Sequence, residues 1–288
     1  MTSTVYLNGE WLPADQAAVS VFDRGFLFGD AVYEVIIAYN RQLFRLEQHL
    51  ARLTRSLSET GIQNPFGIHE WRFLIERLIE LNEGDNQSVY LQVSRGVSQP
   101  RRHNYPLNLT PTVFLSSNPL LLKSQRSSQI KACSAVTLED IRWSRGDIKS
   151  TSLLGSVLLK KQVFESGADE GILIRDGWVA EGTASNVFLV KESKIITPKI
   201  SDWILTGVTR DFIFELCFRY GLVIEERDVS LPELVDADEI WLTSTTAEIR
   251  PVTELNACPV GTGNIGPLWK KMAAYYDRHK AELFSCGS

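Results

Sequence analysis

Short runs of β-branched and aromatic residues recur along the whole chain, and this pattern constrains the fold more than any other feature. Residues 31–39 and 89–94 have the composition of strands, and Asn8-Gly9 between two short apolar runs predicts a β-hairpin. Helical periodicity separates the strands, as in the leucines of residues 46–57, which recur three and four positions apart. The sequence therefore predicts an α+β fold, that is, a mixed α/β architecture.

The length of the chain predicts two domains. Its 288 residues are too many for one small core and suit two domains of ordinary size. We predict an N-terminal α/β domain at residues 1–118 and a C-terminal α/β domain at residues 129–288. Between them, residues 119–128 turn polar towards their end and contain no Gly, which indicates an interdomain linker. The second domain is expected to begin with a strand at residues 130–136.

Composition and charge argue against several classes of protein. The net charge is −5 with acidic and basic residues mixed along the length, which argues against a nucleic-acid binder. The first residues lack the pattern of a secretory signal, and no apolar stretch approaches membrane-spanning length. The 4 cysteines and 4 histidines show no metal-ligand spacing, so we expect no metal and a reduced, cytoplasmic setting.

One polar stretch, residues 140–150, carries a single lysine, Lys149, directly before an apolar segment with helical character. Most lysines are solvated surface charges, so Lys149 in isolation is more often a bystander than a reactive group. A lysine amine can also act as a nucleophile towards a carbonyl carbon. Lys149 is therefore a candidate chemical group whose assignment depends on the other stretches.

Several cationic side chains in the first half are candidate anion-binding groups. Arg52 lies on a helical stripe with Arg45 and His49; such a stripe is usually a solvated face, although the planar guanidinium also suits a phosphate. The loop at residues 95–106 carries three arginines and a histidine, and arginine binds carboxylates through two parallel hydrogen bonds. Upstream, residues 19–30 are predicted to be extended and then a turn-rich loop.

Three further candidates lie beside predicted strands and helices. Tyr33 follows the turn-rich loop and is either a core aromatic or a phenol at the mouth of a pocket. Glu181 precedes an apolar strand and would ordinarily be an exposed turn carboxylate. Thr209 lies at the start of a predicted helix and is either a helix cap or part of an anion site. Thr245 and Thr246 follow the strand at residues 239–243 and form either a turn or a second anion site.

Taken together, these stretches resemble the fold-type IV pyridoxal-phosphate enzymes, and the resemblance is greatest to the D-amino acid aminotransferases. It covers nearly the whole chain. The order and spacing of several motifs carry it, whereas no single motif does. They are Asp23-Arg24-Gly25 with Phe28-Gly29-Asp30, Tyr33-Glu34-Val35, Asp140-Ile141-Arg142-Trp143 with Asp147-Ile148-Lys149-Ser150, Glu181-Gly182 with Ser185-Asn186, Gly207-Val208-Thr209-Arg210-Asp211, and Thr243-Ser244-Thr245-Thr246.

This resemblance implies a role in binding pyridoxal 5′-phosphate for most of the candidates. Lys149 would form the internal Schiff base, and its freed amine would then move a proton at the substrate Cα. Glu181 would pair with the pyridine nitrogen and keep it protonated, and Leu205 would pack against the ring. An ion pair, backbone N–H groups and hydroxyls would bind the phosphate, supplied by Arg52, Val208, Thr209 and Thr245.

The resemblance also implies a trap for the substrate carboxylate. In D-amino acid aminotransferases a Pro-Arg-x-His motif from the partner subunit acts with a tyrosine, which implies a homodimer. Here the motif is Pro100-Arg101-Arg102-His103, with Tyr33 as the tyrosine and Thr246 as a further substrate contact. The loop is one residue longer at Gln99, and Arg102 fills the variable position, so that Arg101 is preferred over Arg102 by register. Thr183-Ala184 also departs from the pattern of that subgroup.

The expected function is transfer of an amino group between D-alanine-like amino acids and 2-oxo acids such as 2-oxoglutarate. A branched-chain L-aminotransferase and an aminodeoxychorismate lyase of the same fold type remain alternatives, and the Arg-x-His loop counts against both. A non-enzymatic relative is the third alternative. The joint presence of Lys149, Glu181 and Arg52 counts against that possibility.

Overall fold

A computed structural model of the protein describes residues 3–120 and 132–285. The chain divides into two compact units, each built from two stretches of sequence. Unit 1 comprises Met1–Ser128 with Ile148–Leu153, and unit 2 comprises Gln129–Asp147 with Leu154–Ser288. The predicted domain boundaries stay a prediction, and most of the predicted linker, residues 121–128, lies outside the described residues. The segment that carries Lys149 belongs to unit 1, although the sequence places it in the C-terminal domain.

Within the residues that the structure describes, an antiparallel sheet and three helices build unit 1. The strands are β1 (Thr4–Leu7), β2 (Glu10–Pro13), β3 (Ala31–Tyr39), β4 (Gln42–Leu43), β5 (Gln87–Ser94) and β6 (Thr112–Pro119). The helices are α1 (Arg24–Phe28), α2 (Leu46–Thr60) and α3 (Ile68–Leu81). The six strands follow the order β2-β1-β6-β5-β3-β4. The predicted hairpin is confirmed, because Asn8 and Gly9 both have positive φ and join β1 to β2.

The core of unit 1 lies between the sheet and helices α2 and α3. Leu50, Leu53 and Leu57 of α2 are buried in one cluster with Ile36 of β3 and Leu91 of β5. Burial of each such side chain contributes about 2 kcal/mol. This packing fixes α2 against β3, and these two elements carry several of the candidate site residues.

The stretch before β3 differs from the sequence prediction. Residues 19–22 form no strand, and the predicted loop contains helix α1. The Asp23 side chain caps this helix by accepting a hydrogen bond of 2.8 Å from the N–H of Gly25. Gly29 ends it in the left-handed conformation at φ 66°. The two glycines suggest a loop by propensity, but here one is tolerated inside a capped turn and the other terminates the helix.

A larger mixed sheet and four helices build the described part of unit 2, residues 132–147 and 154–285. Its strands are β7 (Cys133–Glu139), β8 (Glu170–Arg175), β9 (Trp178–Gly182), β10 (Asn186–Lys191), β11 (Lys194–Thr197), β12 (Ile224–Glu226), β13 (Glu239–Ser244), β14 (Glu248–Leu255) and β15 (Cys258–Pro259). The helices are α4 (Leu154–Ser166), α5 (Val208–Tyr220), α6 (Leu231–Val235) and α7 (Pro267–Ser285). The strand order is β12-β11-β10-β13-β14-β7-β8-β9, with β15 paired to β14. Part of the strand predicted at residues 130–136 lies outside the described residues.

Two features of unit 2 position its candidate site residues. Strands β7 and β8 are parallel and are connected through α4, whereas β10 and β13 pair antiparallel. In that second pair Asn186 opposes Thr243, so the start of β10 and the end of β13 lie at the same edge of the sheet. Helix α5 buries Phe212 and Leu216, as the sequence predicts, and ends at Gly221.

Within the described residues no helix is long and apolar enough to cross a membrane. No group of three or more His, Cys, Asp or Glu side chains in the same residues could hold a metal ion.

Candidate functional site

Lys149 lies beside the first residues of strand β3 in unit 1. The N–H of Tyr33 donates to the Lys149 carbonyl at 3.0 Å, and the N–H of Thr151 donates to the Ala31 carbonyl at 2.9 Å. The half-buried Lys149 side chain places its Nζ 4.1 Å from the centroid of the Tyr33 ring. An ammonium over an aromatic face is held by the ring quadrupole. The structure therefore brings together the candidate lysine and the candidate tyrosine.

Arg52 forms a buried ion pair with Glu34, the residue that follows Tyr33 on β3. Arg52 Nε donates to Glu34 Oε1 at 2.7 Å, and Arg52 Nη2 donates to Glu34 Oε2 at 2.8 Å. His49 Nδ1 lies 2.8 Å from Glu34 Oε2. The helical stripe of Arg52 and His49 is thus buried, and the expectation of a solvated basic face is wrong for these two side chains.

The charges in this cluster are fixed by its hydrogen bonds. Burial alone would raise the pKa of Glu34, but Arg52 and His49 lower it to about 2. Burial lowers the pKa of His49 despite the carboxylate beside it. An ionised Glu34 can only accept, so a neutral His49 donates from Nδ1. The cluster therefore contains one carboxylate, one guanidinium and one neutral imidazole.

Arg101 and His103 lie over the same aromatic ring in unit 1. The Arg101 guanidinium carbon is 4.7 Å from the centroid of the Phe28 ring. The His103 ring is centred 5.2 Å from that centroid, at an interplanar angle of 53°. The Arg102 carbonyl accepts a hydrogen bond of 3.0 Å from Arg24 Nη1. The structure therefore brings together Arg101 and His103, the two residues of the predicted carboxylate trap, while the main-chain carbonyl between them is bound by Arg24.

Glu181, at the end of β9 in unit 2, is buried rather than exposed. Arg142 Nη1 donates to its Oε1 at 2.5 Å. The N–H of Leu205 donates to its Oε2 at 3.0 Å, and Asn186 Nδ2 donates to the same oxygen at 3.3 Å. Burial raises the pKa of Glu181 to about 7, against the opposing effect of Arg142. This carboxyl can therefore exchange a proton near neutral pH.

Arg142 is shared between two carboxylates. Its Nε and Nη2 donate to the two oxygens of Asp140 at 2.9 and 3.0 Å, which leaves only Nη1 for Glu181. Arg175 Nη2 also donates to Asp140, at 3.0 Å. Because most of the Arg142 guanidinium is engaged by Asp140, it compensates the charge of Glu181 incompletely.

The start of helix α5 adjoins Glu181 through Asn186. Asn186 Nδ2 donates to the Leu205 carbonyl at 2.8 Å. Asn186 Oδ1 lies so close to Gly207 that it would collide with a Cβ added there. Gly207 is the N-cap and offers no side chain, so the N–H groups of Val208 and Thr209 have no acceptor within α5. Backbone N–H groups at such a helix start favour an anion.

Thr245 and Thr246 lie in the turn between β13 and β14. Thr245 is half-buried and Thr246 is exposed. The turn follows Thr243, which pairs with Asn186, so it lies at the sheet edge where Glu181, Leu205 and the start of α5 also gather. In unit 2 the structure thus brings together the candidates Glu181, Leu205, Val208, Thr209, Thr245 and Thr246.

Sequence reasoning gave no role to three residues that the structure places in these clusters. Glu34 follows the candidate tyrosine in the sequence, and its strand position was the only signal for its pairing. Arg142 stands in a motif of the resemblance, but its bond to Glu181 spans 39 positions. Asn186 follows Glu181 by five positions and is the residue that connects it to α5.

A buried carboxyl near neutral pKa, a lysine over an aromatic ring and an open helix start are features of an enzyme site. The family model described as Amino-transferase class IV matches residues 31–255, and the chain belongs to this family. The family and the fold type IV architecture predicted from the sequence are confirmed, as is an enzyme that depends on pyridoxal phosphate.

Similar proteins and structures span nearly the whole chain. D-alanine aminotransferase from Bacillus licheniformis is 43% identical over 268 residues, which cover 93% of this chain and 94% of that protein. D-alanine aminotransferase from Staphylococcus aureus (strain COL) is 35% identical and covers 96% of this chain and 97% of its own length. The crystal structure of a branched-chain aminotransferase from Thermoproteus uzoniensis with norvaline has a TM-score of 0.86 at 26% identity, over 96% of this chain and 94% of that chain.

Proposed function

We propose that this enzyme transfers an amino group between D-amino acids such as D-alanine and 2-oxo acids such as 2-oxoglutarate. One observation carries the proposal: a D-alanine aminotransferase is 43% identical to this chain over 94% of its own length. The grouping of Arg101 and His103 on one ring supports it, because these residues form the motif expected for D-amino acid substrates.

The side chains of unit 1 fit pyridoxal 5′-phosphate. When bound, this cofactor supplies the electron sink for the charge that develops at the substrate Cα. Lys149 would hold the cofactor through its amine, which the Tyr33 ring orients, and once freed it would carry a proton from the substrate Cα. Arg52 would present its guanidinium to the phosphate while Glu34 keeps the guanidinium plane fixed.

The side chains of unit 2 fit the same cofactor. Glu181 has a pKa raised to about 7, so it can give a proton to a pyridine nitrogen and then remain beside it as a carboxylate. Asn186 and the Leu205 N–H hold the Glu181 carboxyl in one orientation. Leu205 would contact the cofactor ring, and Val208 and Thr209 at the start of α5, together with Thr245, would bind the phosphate.

We further propose that the enzyme is a homodimer in which the Arg101–His103 loop binds the substrate carboxylate in the neighbouring subunit. Tyr33 and Thr246 would complete the substrate site of that subunit. An exposed apolar face on α4 supports the dimer: Leu154, Val157 and Phe164 are 72%, 60% and 83% exposed. Exposed apolar side chains clustered on one element are typical of a protein interface. The cytoplasmic setting stays a prediction.

A half-reaction screen tests the substrate assignment. The purified enzyme would be mixed with D-alanine, D-glutamate, L-leucine or aminodeoxychorismate, and conversion to the pyridoxamine form would be followed by absorbance. We expect rapid conversion by D-alanine. The branched-chain aminotransferases among the similar structures make L-leucine the informative competitor, and faster conversion by L-leucine would overturn the proposal.

A Lys149→Ala variant tests the covalent role of the lysine. Borohydride should attach the cofactor permanently to the wild-type enzyme at Lys149 and should leave the variant unlabelled, as read by peptide mass spectrometry. Lys160 lies on α4 near Glu170, so Lys160→Ala is the matched control and should label like the wild type. Labelling at a different lysine in the wild-type enzyme would refute the assignment.

A further inference from the structure

Phe28, the last residue of α1, contacts three side chains that carry or can carry positive charge. The guanidinium carbons of Arg24 and Arg101 lie 4.8 and 4.7 Å from its ring centroid, and the His103 ring is centred at 5.2 Å. Aromatic faces attract guanidinium groups, and aromatic rings at this distance also attract one another. The orientation of both residues of the carboxylate-binding loop is therefore coupled to one ring.

The same loop is also held by contacts that converge on Asp30. Arg24 Nε and Arg95 Nε donate to Asp30 Oδ2 at 2.7 and 2.8 Å. Arg24 then donates from Nη1 to the Arg102 carbonyl, and the Arg95 guanidinium carbon lies 4.5 Å from the Tyr105 ring centroid. One carboxylate thus orients two arginines, which fix the loop before and after His103.

Helix α1 is itself attached to the segment that carries Lys149. The Gly29 carbonyl accepts hydrogen bonds of 3.2 Å from the hydroxyls of Thr151 and Ser152. Because Gly29 directly follows Phe28 and has a φ of 66°, the end of α1 is conformationally defined. The main chain beside Phe28 is therefore held in place, and through the Phe28 ring the loop contacts a fixed part of unit 1.

We propose that Phe28 is a positioning residue for substrate binding: its ring holds the Arg101 guanidinium and the His103 imidazole in the orientation that receives the substrate carboxylate. Arg24 contributes by fixing the main chain at Arg102, so that Arg101 supplies the guanidinium. This inference rests on the proposed function of the loop. It goes beyond that function because Phe28 itself need not touch the substrate.

The test replaces the aromatic face while keeping apolar bulk. Phe28→Leu and Phe28→Met remove the ring, Phe28→Tyr keeps it, and Phe26→Leu is the matched control on the same helix, because Phe26 is 70% exposed. The dissociation constant of propionate, an unreactive carboxylate, would be measured calorimetrically on each cofactor-loaded enzyme. Propionamide would serve as the neutral comparison.

We expect Phe28→Leu and Phe28→Met to weaken propionate binding about 3- to 30-fold, which is the range of a lost cation–π contact. Propionamide binding and cofactor absorbance should not change, and KM for D-alanine should rise by a larger factor than kcat falls. Phe28→Tyr and Phe26→Leu should stay within about twofold of the wild type by the same reasoning. A propionate affinity that is equal in Phe28→Leu, Phe28→Met and wild type would overturn the inference.

A double-mutant cycle with Arg101→Met separates this inference from the proposed function. If Phe28 acts through Arg101, Phe28→Leu should cost less than about twofold in the Arg101→Met background, since coupled residues are not additive. A full additional loss there would overturn the positioning of Arg101 by Phe28 while leaving the loop function intact. An Arg101→Met enzyme that binds propionate like the wild type would instead refute the loop function, and the positioning role would fall with it.

Discussion

Two buried glutamates, one in each unit, have arginine partners and yet hold their protons very differently. Glu34 pairs with Arg52, and its pKa is lowered to about 2. Glu181 pairs with Arg142, and its pKa is raised to about 7. Burial raises the pKa in both cases, so the difference comes from the neighbouring charges and hydrogen-bond donors.

The difference lies in how many guanidinium nitrogens of each arginine donate to the glutamate. Arg52 donates from two nitrogens to Glu34, and His49 adds a third donor. Arg142 donates from two nitrogens to Asp140 and from only one to Glu181, whose other two donors, the Leu205 N–H and Asn186 Nδ2, are uncharged. An arginine beside a carboxylate therefore does not by itself fix the charge of that carboxylate. Two hydrogen bonds from Arg52 keep Glu34 ionised down to a pH of about 2, whereas the single one from Arg142 leaves Glu181 able to exchange a proton near neutral pH.

The largest effect on stability is expected from Glu34→Gln. It leaves the Arg52 guanidinium buried without its counter-charge, which costs about 3–5 kcal/mol. Glu181→Gln should cost less, because Arg142 keeps both bonds to Asp140. Urea unfolding of the two cofactor-free variants measures the difference, and equal losses would contradict the comparison.

A loss of about 3 kcal/mol is expected from raising the pH through the titration of Glu181. Its folded pKa of about 7 lies above the ordinary glutamate pKa of 4.5, so its contribution is complete below pH 4.5 and is lost as the pH rises through 7. The free energy of unfolding of the wild type should therefore fall relative to that of Glu181→Gln over this interval. A difference that is flat between pH 4.5 and 7 would show that Glu181 is ionised throughout.

The opposite pH dependence is expected for Glu34. Its folded pKa of about 2 lies below 4.5, so its contribution is present above pH 4.5 and is lost as the pH falls through 2. Relative to Glu34→Gln, the wild type should lose about 3 kcal/mol over that range. Acid unfolding monitored by circular dichroism gives the measurement, and a loss in the neutral range instead would place the titrating proton on another group.

A smaller effect, about 2 kcal/mol, is expected from Arg52→Lys. An ammonium keeps the charge but cannot donate two parallel hydrogen bonds to Glu34. The pKa of Glu34 should rise, and the midpoint of acid unfolding should move upwards with it. An acid midpoint identical to that of the wild type would mean that charge alone, without the planar donor pair, lowers the pKa.

The smallest effect is expected from Glu76→Gln on the surface of α3. Glu76 pairs with Arg72 at 3.3 Å, and both side chains are at least 40% exposed. Such a pair contributes about 0.3 kcal/mol. The urea midpoint should stay within experimental error of the wild type, and this variant gives the baseline against which losses in the two buried clusters are judged.

Most of the elements and the candidate residues were accessible from the sequence, whereas the pairing of the side chains was not. Helical spacing predicted α2 and drew attention to Arg52, and motif order singled out Lys149 and Glu181. The partner of Arg52 is Glu34, which lies on a strand 18 positions upstream, and only the packing of α2 on the sheet brings them together. Periodicity identifies a face of a helix but does not reveal what covers it, so the stripe that holds His49 was expected to be solvated.

The sequence also did not show that two carboxylates compete for the Arg142 guanidinium. The sequence contains Asp140 and Arg142 two positions apart, but nothing in that spacing indicates that Glu181 receives only the remaining nitrogen. Short capped helices are a second feature that the sequence did not predict. Helix α1 is five residues long, and the contribution of its Asp23 cap exists only once the backbone has closed.

The division of unit 1 into two stretches has a consequence for the order of synthesis. Ile148–Leu153 completes unit 1, although the ribosome makes residues 129–147 of unit 2 before it. At about 5–20 residues per second, unit 1 waits one to several seconds after residue 128 for its last piece. That piece carries Lys149, whose carbonyl accepts a hydrogen bond from the N–H of Tyr33. A nascent chain therefore exposes the beginning of β3 during this interval, and the lysine reaches its place only when the unit closes.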